Sequence, residues 1–190
     1  MIEERERSTS KLRNWLRFGP LLAIFALSSL VIRLLAGRSA AGHPPPPFFH
    51  LFFSDPIHMK AWLATVAFTL ALFQILSAAR IFELFHFAPS GRFWSRMHRM
   101  SGYLAILLTL PVAYHCIFLL GFETTSPRHA IHSVLGSAFY GAFLVKVILV
   151  RSRGFPGWAL PVAGGLLFAI LAGLWLTSSL HFFNSNPITL

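Results

Sequence analysis

Five stretches of the chain are continuously apolar, over residues 17–36, 59–80, 100–121, 130–150 and 157–180. A helix crossing the hydrocarbon of a bilayer needs roughly 20 mostly apolar residues. Each stretch therefore predicts one transmembrane helix. The segments between them are rich in polar and helix-breaking residues. "GHPPPP" at 42–47 predicts a stiff, extended linker, because consecutive prolines cannot continue a helix. "APSGRFWSR" at 88–96 predicts a polar, turn-rich loop. "FETTSPRH" at 122–129 and "RSRGFP" at 151–156 are short, so spans three, four and five are expected as antiparallel neighbours.

The pattern predicts an all-α fold: a polytopic membrane helix bundle of five transmembrane helices, with a four-helix core of spans two to five plus an N-terminal span. Its divisions are a basic tail at 1–16, the first span at 17–36, a Pro-rich linker at 37–58, the four-helix bundle at 59–181 and a tail at 182–190. The "PVAGG" of span five, Pro161 to Gly165, is expected to be a close packing site against span three.

Composition supports a lipid environment. The chain is 55% hydrophobic and 12% charged, with a mean hydropathy of +0.65. A soluble domain of this size carries far more charge. The net charge of +10 does not indicate nucleic acid, because the basic residues sit at the ends of apolar segments rather than on one patch. Arg5, Arg7, Lys11, Arg13 and Arg17 precede span one; Arg80, Arg92, Arg96 and Arg99 connect spans two and three; Lys146, Arg151 and Arg153 end span four. The opposite side holds Arg33, Arg38, Lys60 and Arg128. The asymmetry predicts a plasma or inner membrane protein with a cytoplasmic N-terminus and an external C-terminus. The basic leader and the apolar run at 18–32 also match a secretory signal, with the small residues "SAAG" at 39–42 for cleavage. Arg33 can snorkel at the external end, which favours a retained anchor. A single cysteine, Cys116, excludes an internal disulfide and is expected as a small buried residue.

Histidine carries the candidate chemistry. His115 lies about 9 Å inside the external end of span three, by helical rise, and His132 about one turn inside the external end of span four. The short loop between these spans brings the two to a similar level, and an ionisable group inside a membrane points to function. His132 and Gly136 form H-x-x-x-G, as do His98 and Gly102. Four residues return to the same helix face, so each glycine leaves room beside a histidine for a planar ligand such as haem, whose iron takes imidazole axially. Small residues at that spacing also serve ordinary helix packing. Pro111, Phe139, Tyr140 and Phe143 are expected around such a plane. His98 lies about 25 Å along the axis from His115, so it belongs to a second site if it is a ligand, with His86 as partner. His181 and His58 are alternative partners for His115. His43 and His50 flank the proline linker and are expected to face solvent, with His129 at the interface. Gln74 is expected to make an interhelical hydrogen bond.

"HRMSGYLAILLTLPVAYH" and "HSVLGSAFYGAFLVKVILVRSR" resemble the spans of cytochrome b561-like and ferric-reductase-like membrane proteins, over about spans two to five. That resemblance implies haem b held between histidine pairs, and electron transfer with quinone, another small donor or a redox protein partner. The usual arrangement has four histidines on four helices, one pair near each face. Here span five has a histidine only at its outer end, and span two only beyond its ends. The chain also resembles an uncharacterised family of small bacterial integral membrane proteins.

Two classes of function stand. One is an electron-transfer subunit, part of an oxidoreductase, with bis-His haem b at His115 and His132 and a second haem at His98 as an option. The other is a non-enzymatic scaffold or assembly subunit whose histidines pack or handle copper. No nucleotide-binding glycine loop, HExxH motif or mid-membrane carboxylate points elsewhere.

Overall fold

The computed structural model describes residues 16–39, 48–84, 92–152 and 154–186. The protein is all-helical, with no strand among the described residues. Helix α1 spans Gly19–Ser39, α2 Pro56–Ile81, α3 Arg92–Tyr114, α4 Pro127–Arg151 and α5 Ala159–Trp175. Two of them change pitch at their C-terminal ends. α3 continues as a π-helical segment, π1, over His115–Leu120, and α5 as π2 over Leu176–Leu180 before the short α6, His181–Ser185. Among the described residues, five continuous helical segments are long and apolar enough to cross a membrane: Gly19–Gly37, Pro56–Ile81, Arg92–Leu120, Pro127–Arg151 and Ala159–Ser185. Their outer faces expose Leu27, Leu34, Leu107, Val134 and Val162, the side chains that a lipid phase accepts at no cost.

Local chemistry sets the helix starts. Asp55 caps α2 by accepting from the backbone N–H of Ile57 at 2.7 Å and of His58 at 3.0 Å, with Pro56 in the first turn. Ser126 caps α4 through the His129 N–H, again with a proline following. Both are the usual oxygen-bearing caps, with a proline at a position whose N–H has no helical partner anyway. Gly121, at φ 74°, ends π1 in a conformation that suits glycine.

Three sequence expectations need correction. Residues 92–96 are helical, not loop, because hydropathy marks the lipid core whereas the helix runs on into the interface. There Trp94 stacks on Phe73 of α2, with ring centroids 6.4 Å apart. Gly164 and Gly165 meet nothing: a Cβ at either would find no atom within 4 Å. The tight approaches are elsewhere. A Cβ on Gly141 would lie 2.8 Å from Ser28 Oγ and 3.0 Å from the Phe25 carbonyl, where α1 crosses α4. A Cβ on Gly173 would lie 2.6 Å from Leu135 Cδ1, where α4 meets α5.

The third correction concerns the neighbours of α3. It packs along α2, while α4 lies between α1 and α5; α5 in turn touches α2, and α1 touches π1. The helices thus close a ring in the order α1, α4, α5, α2, α3. The first span is a member of that ring. α3 and α4 are consecutive but do not pack along one another. They meet through the Tyr140 hydroxyl, which donates to Thr109 Oγ1 at 3.0 Å. Towards π1 they enclose a cavity instead. Across the ring, Trp175 Nε1 donates to Thr65 Oγ1 at 3.0 Å, and its indole stacks on Phe68 at 4.8 Å.

Candidate functional site

The cavity has a volume of about 110 Å³ and draws walls from all five helices. Thr109, Val112, Ala113 and Cys116 form the α3–π1 wall, and His132, Gly136, Phe139 and Tyr140 the α4 wall. Ile32 and Ala36 of α1, Ala64 of α2, and Leu171, Leu174 and Trp175 of α5 close it. Ligand pockets commonly span about 300–1,000 Å³, apolar with a few convergent polar groups. This one has that apolar character with a few polar groups, in a smaller volume. Phe143 is not among its lining residues, whereas Cys116 is, only partly buried rather than sealed in the core. The thiol escaped expectation because its helix face depends on the pitch change at His115.

His132 presents its ring to this space in a defined state. Its Nδ1 lies 3.0 Å from Thr177 Oγ1. The Thr177 hydroxyl donates its one proton to backbone, 2.7 Å from the Gly173 carbonyl. It can therefore only accept from the imidazole, so His132 carries its proton on Nδ1 and keeps the Nε2 lone pair. Gly136, one turn along, adds no bulk; a Cβ there would meet only Leu174, at 3.9 Å.

His115 has the same tautomer for a different reason. Its Nδ1 lies 2.9 Å from the Pro111 carbonyl, which can only accept. The Nε2 lone pair is then left over. That atom is buried and has no hydrogen-bond partner among the described residues, with the side chain only 1% exposed. Buried polar atoms are paired in the large majority of cases, and an orphan calls for an explanation such as a ligand. Here the ring leans on Phe49, centroids 4.5 Å apart and nearly perpendicular. His115 does not line the cavity that His132 lines. It sits on the α2-facing side of α3, one residue from Cys116. The structure therefore gives the two imidazoles one tautomer but seats only His132 on the cavity wall.

The other histidines are dispersed. His98 lies at the opposite end of α3, with Nδ1 2.8 Å from Ser77 Oγ of α2. Gln74 donates from Nε2 to the His98 carbonyl and to Ser101 Oγ, the latter at 2.6 Å. The room beside Gly102 is filled by that amide, 3.3 Å from where a Cβ would be. No flat slot is open there. His86 and His43 lie outside the described residues. His58 pairs with Asp55 Oδ2 at 2.5 Å and packs on Phe182. His50 and His181 are exposed. No group of three or more His, Cys, Asp or Glu gathers in metal-binding proximity among the described residues.

Asp55 titrates below the usual carboxylate range. The His58 backbone N–H is the main cause; partial desolvation works the other way, and the His58 side chain adds to the lowering.

A second space adjoins the cavity. It has a volume of about 200 Å³ and shares Val112, Cys116, Gly121, His132, Ser133 and Ser178 with it. The two π segments form much of its walls. Their wider turns displace backbone and side chains from the α-helical register, and such insertions are frequent at functional sites.

Sequence comparison places this architecture in a family. A model described as a family of unknown function, DUF6529, matches residues 21–190. The chain belongs to the DUF6529 family. The match begins inside α1 and takes in every helix of the ring. No curated protein and no solved structure matches.

Proposed function

We propose that this DUF6529 protein is a membrane-embedded electron-transfer subunit in which His132 and His115 would hold one haem b. The carrying observation is the shared tautomer of these two imidazoles. Each commits Nδ1–H to an oxygen of its surroundings and keeps Nε2 free, and one Nε2 is a buried orphan. An imidazole ligand ordinarily donates its other N–H to such an oxygen, which fixes the ring and raises its basicity. The donor chemistry therefore fits, and the cavity beside His132 supports it by its apolar walls and the absence of a side chain at Gly136. His115 must turn from Phe49 towards the cavity for both to reach one iron. Bound there, the group supplies one-electron redox chemistry without an open position on iron. The chain's own residues orient the ligating rings, exclude water and shield the site from lipid. The Lys/Arg distribution supports a cytoplasmic N-terminus, with the cavity towards the external side, so the subunit passes electrons to an external acceptor. Quinone, or a redox partner protein, is the donor class this reading favours.

The position of His115 off the cavity wall favours a second reading, in which the cavity takes a quinol-type ring whose hydroxyl donates to His132 Nε2. Purification of the full chain from a haem-sufficient host separates the two. A b-type reduced-minus-oxidised spectrum supports the first. A colourless, folded protein overturns it and leaves quinol binding, or a scaffold or copper-handling role.

A further inference from the structure

The space adjoining the cavity has an uneven distribution of charge. Lys60, Arg128, His129 and Glu123 line it, together with Ser179 and His132. Three of these side chains, Arg128, His129 and Glu123, are already engaged in a chain of hydrogen bonds through Thr125. Arg128 donates from Nη2 to His129 Nε2 at 2.7 Å and from Nη1 to the Thr177 carbonyl at 2.8 Å. A guanidinium can only donate, so His129 holds its proton on Nδ1, 3.0 Å from Thr125 Oγ1. Thr125 in turn donates to the Glu123 carboxylate at 2.7 Å. The relay joins Arg128 to Glu123 and offsets the one acidic charge of the groove. Lys60 has no hydrogen-bond partner among the described residues and contributes a net positive charge.

Ser179 adds an independent sign. Its side chain is 0% exposed to solvent, lines the groove, and its Oγ has no partner among the described residues. A hydroxyl buried without a hydrogen bond is destabilising, and a ligand oxygen would offset that. The groove and the apolar cavity adjoin, with Cys116, His132 and Ser178 lining both. A polar, cationic space thus lies beside a greasy one.

We infer that the groove seats the anionic head, a carboxylate or phosphate, of an amphiphilic ligand whose apolar body enters the central cavity. Lys60 supplies the charge, Ser179 a hydroxyl donor. Two sources share this chemistry: the carboxylates of a porphyrin and the head of a lipid-like molecule. The seat itself does not rest on the haem reading.

Cys116, the only cysteine of the chain, lines both spaces and reports occupancy. The test uses the full chain, freed of bound ligands, in a non-ionic detergent. The rate of Cys116 labelling by a small thiosulfonate is measured against decyl phosphate, decanoate, decanol and inorganic phosphate. The expected result is saturable protection by the two anionic amphiphiles, at least fivefold tighter than by decanol, with none from inorganic phosphate. Lys60→Gln is expected to abolish that preference. Ser179→Ala is expected to weaken protection while raising the melting temperature of the ligand-free chain, a pairing that misfolding does not produce. Decanol equal to decanoate, inorganic phosphate as effective as decyl phosphate, or an unchanged preference in Lys60→Gln would each overturn the proposal. Displacement of decyl phosphate by haemin but not by its dimethyl ester assigns the seat to porphyrin carboxylates; no displacement by haemin assigns it to lipid-like heads.

Discussion

The Thr177 hydroxyl accepts from His132 Nδ1 at 3.0 Å, and through that one bond π2 fixes the protonation of an imidazole on α4. The bond ties the pitch change in α5 to the chemistry of the cavity. Thr177→Val keeps the shape and removes the acceptor. Its expected effect is a loss of about 10- to 100-fold in cofactor affinity, as for other outer-shell partners of ligating histidines. Thr177→Ser is expected to retain binding. Haem per chain after dilution into haem-free detergent reports both.

Gly141 tests whether α1 belongs to the ring. A single methyl there reaches 3.0 Å from the Phe25 carbonyl and 2.8 Å from Ser28 Oγ, and the backbone atom cannot step aside cheaply. Gly141→Ala is expected to destabilise the protein by about 1–3 kcal/mol, the usual cost of overpacking. Gly165→Ala, with no atom within 4 Å, is expected to be neutral or slightly stabilising. Unfolding in mixed micelles compares the two.

Gln74 and Gly102 are coupled. The amide occupies the space beside the glycine and donates to Ser101. Gln74→Ala is expected to cost about 0.6–1.7 kcal/mol, the range of interhelical hydrogen bonds in membranes. Gly102→Ala alone is expected to add a penalty by crowding the amide, and none in the Gln74→Ala background. A double-mutant cycle in unfolding free energy measures the difference.

Asp55 gives a pH dependence with a definite sign. Its folded pKa lies below the ordinary value, chiefly through the His58 N–H. It therefore contributes stability above the unfolded carboxylate pKa, and that contribution is lost as pH falls through the lower folded value. Asp55→Ala is expected to cost about 1 kcal/mol at neutral pH, as for other helix caps, and to flatten the acid limb of a melting temperature against pH curve. Asp55→Asn is expected to keep most of the stability and lose the acid dependence.

The spans were legible because lipid demands long apolar runs, and all five appeared with boundaries within five residues, save the third, which starts eight residues earlier at Arg92. The caps Asp55 and Ser126 were written in the chain too, as "SDP" and "TSP". What hydropathy does not encode is rotation about a helix axis. The sequence places His115 and His132 along their helices, yet the turn that aims each ring depends on π1 and π2. A π insertion follows from tertiary packing and leaves no composition signal. The same limit explains Gly102, whose H-x-x-x-G spacing reads alike whether the space holds a porphyrin or a glutamine amide. It explains the groove as well. Lys60 and Ser179 are far apart in sequence, and only the closed ring brings them to one wall.

In the proposed function, His132 and His115 would both give Nε2 to one haem b. The direct measurement is haem per chain, by pyridine haemochrome, with the reduced-minus-oxidised spectrum of the full-length protein and its His115→Ala, His132→Ala, His98→Ala and His43→Ala variants. The expected result is one haem per chain with a b-type α-band, lost in the first two variants and retained in the last two. A folded, monodisperse protein without a Soret band contradicts the claim, as does full haem occupancy with an unchanged spectrum in either His115→Ala or His132→Ala.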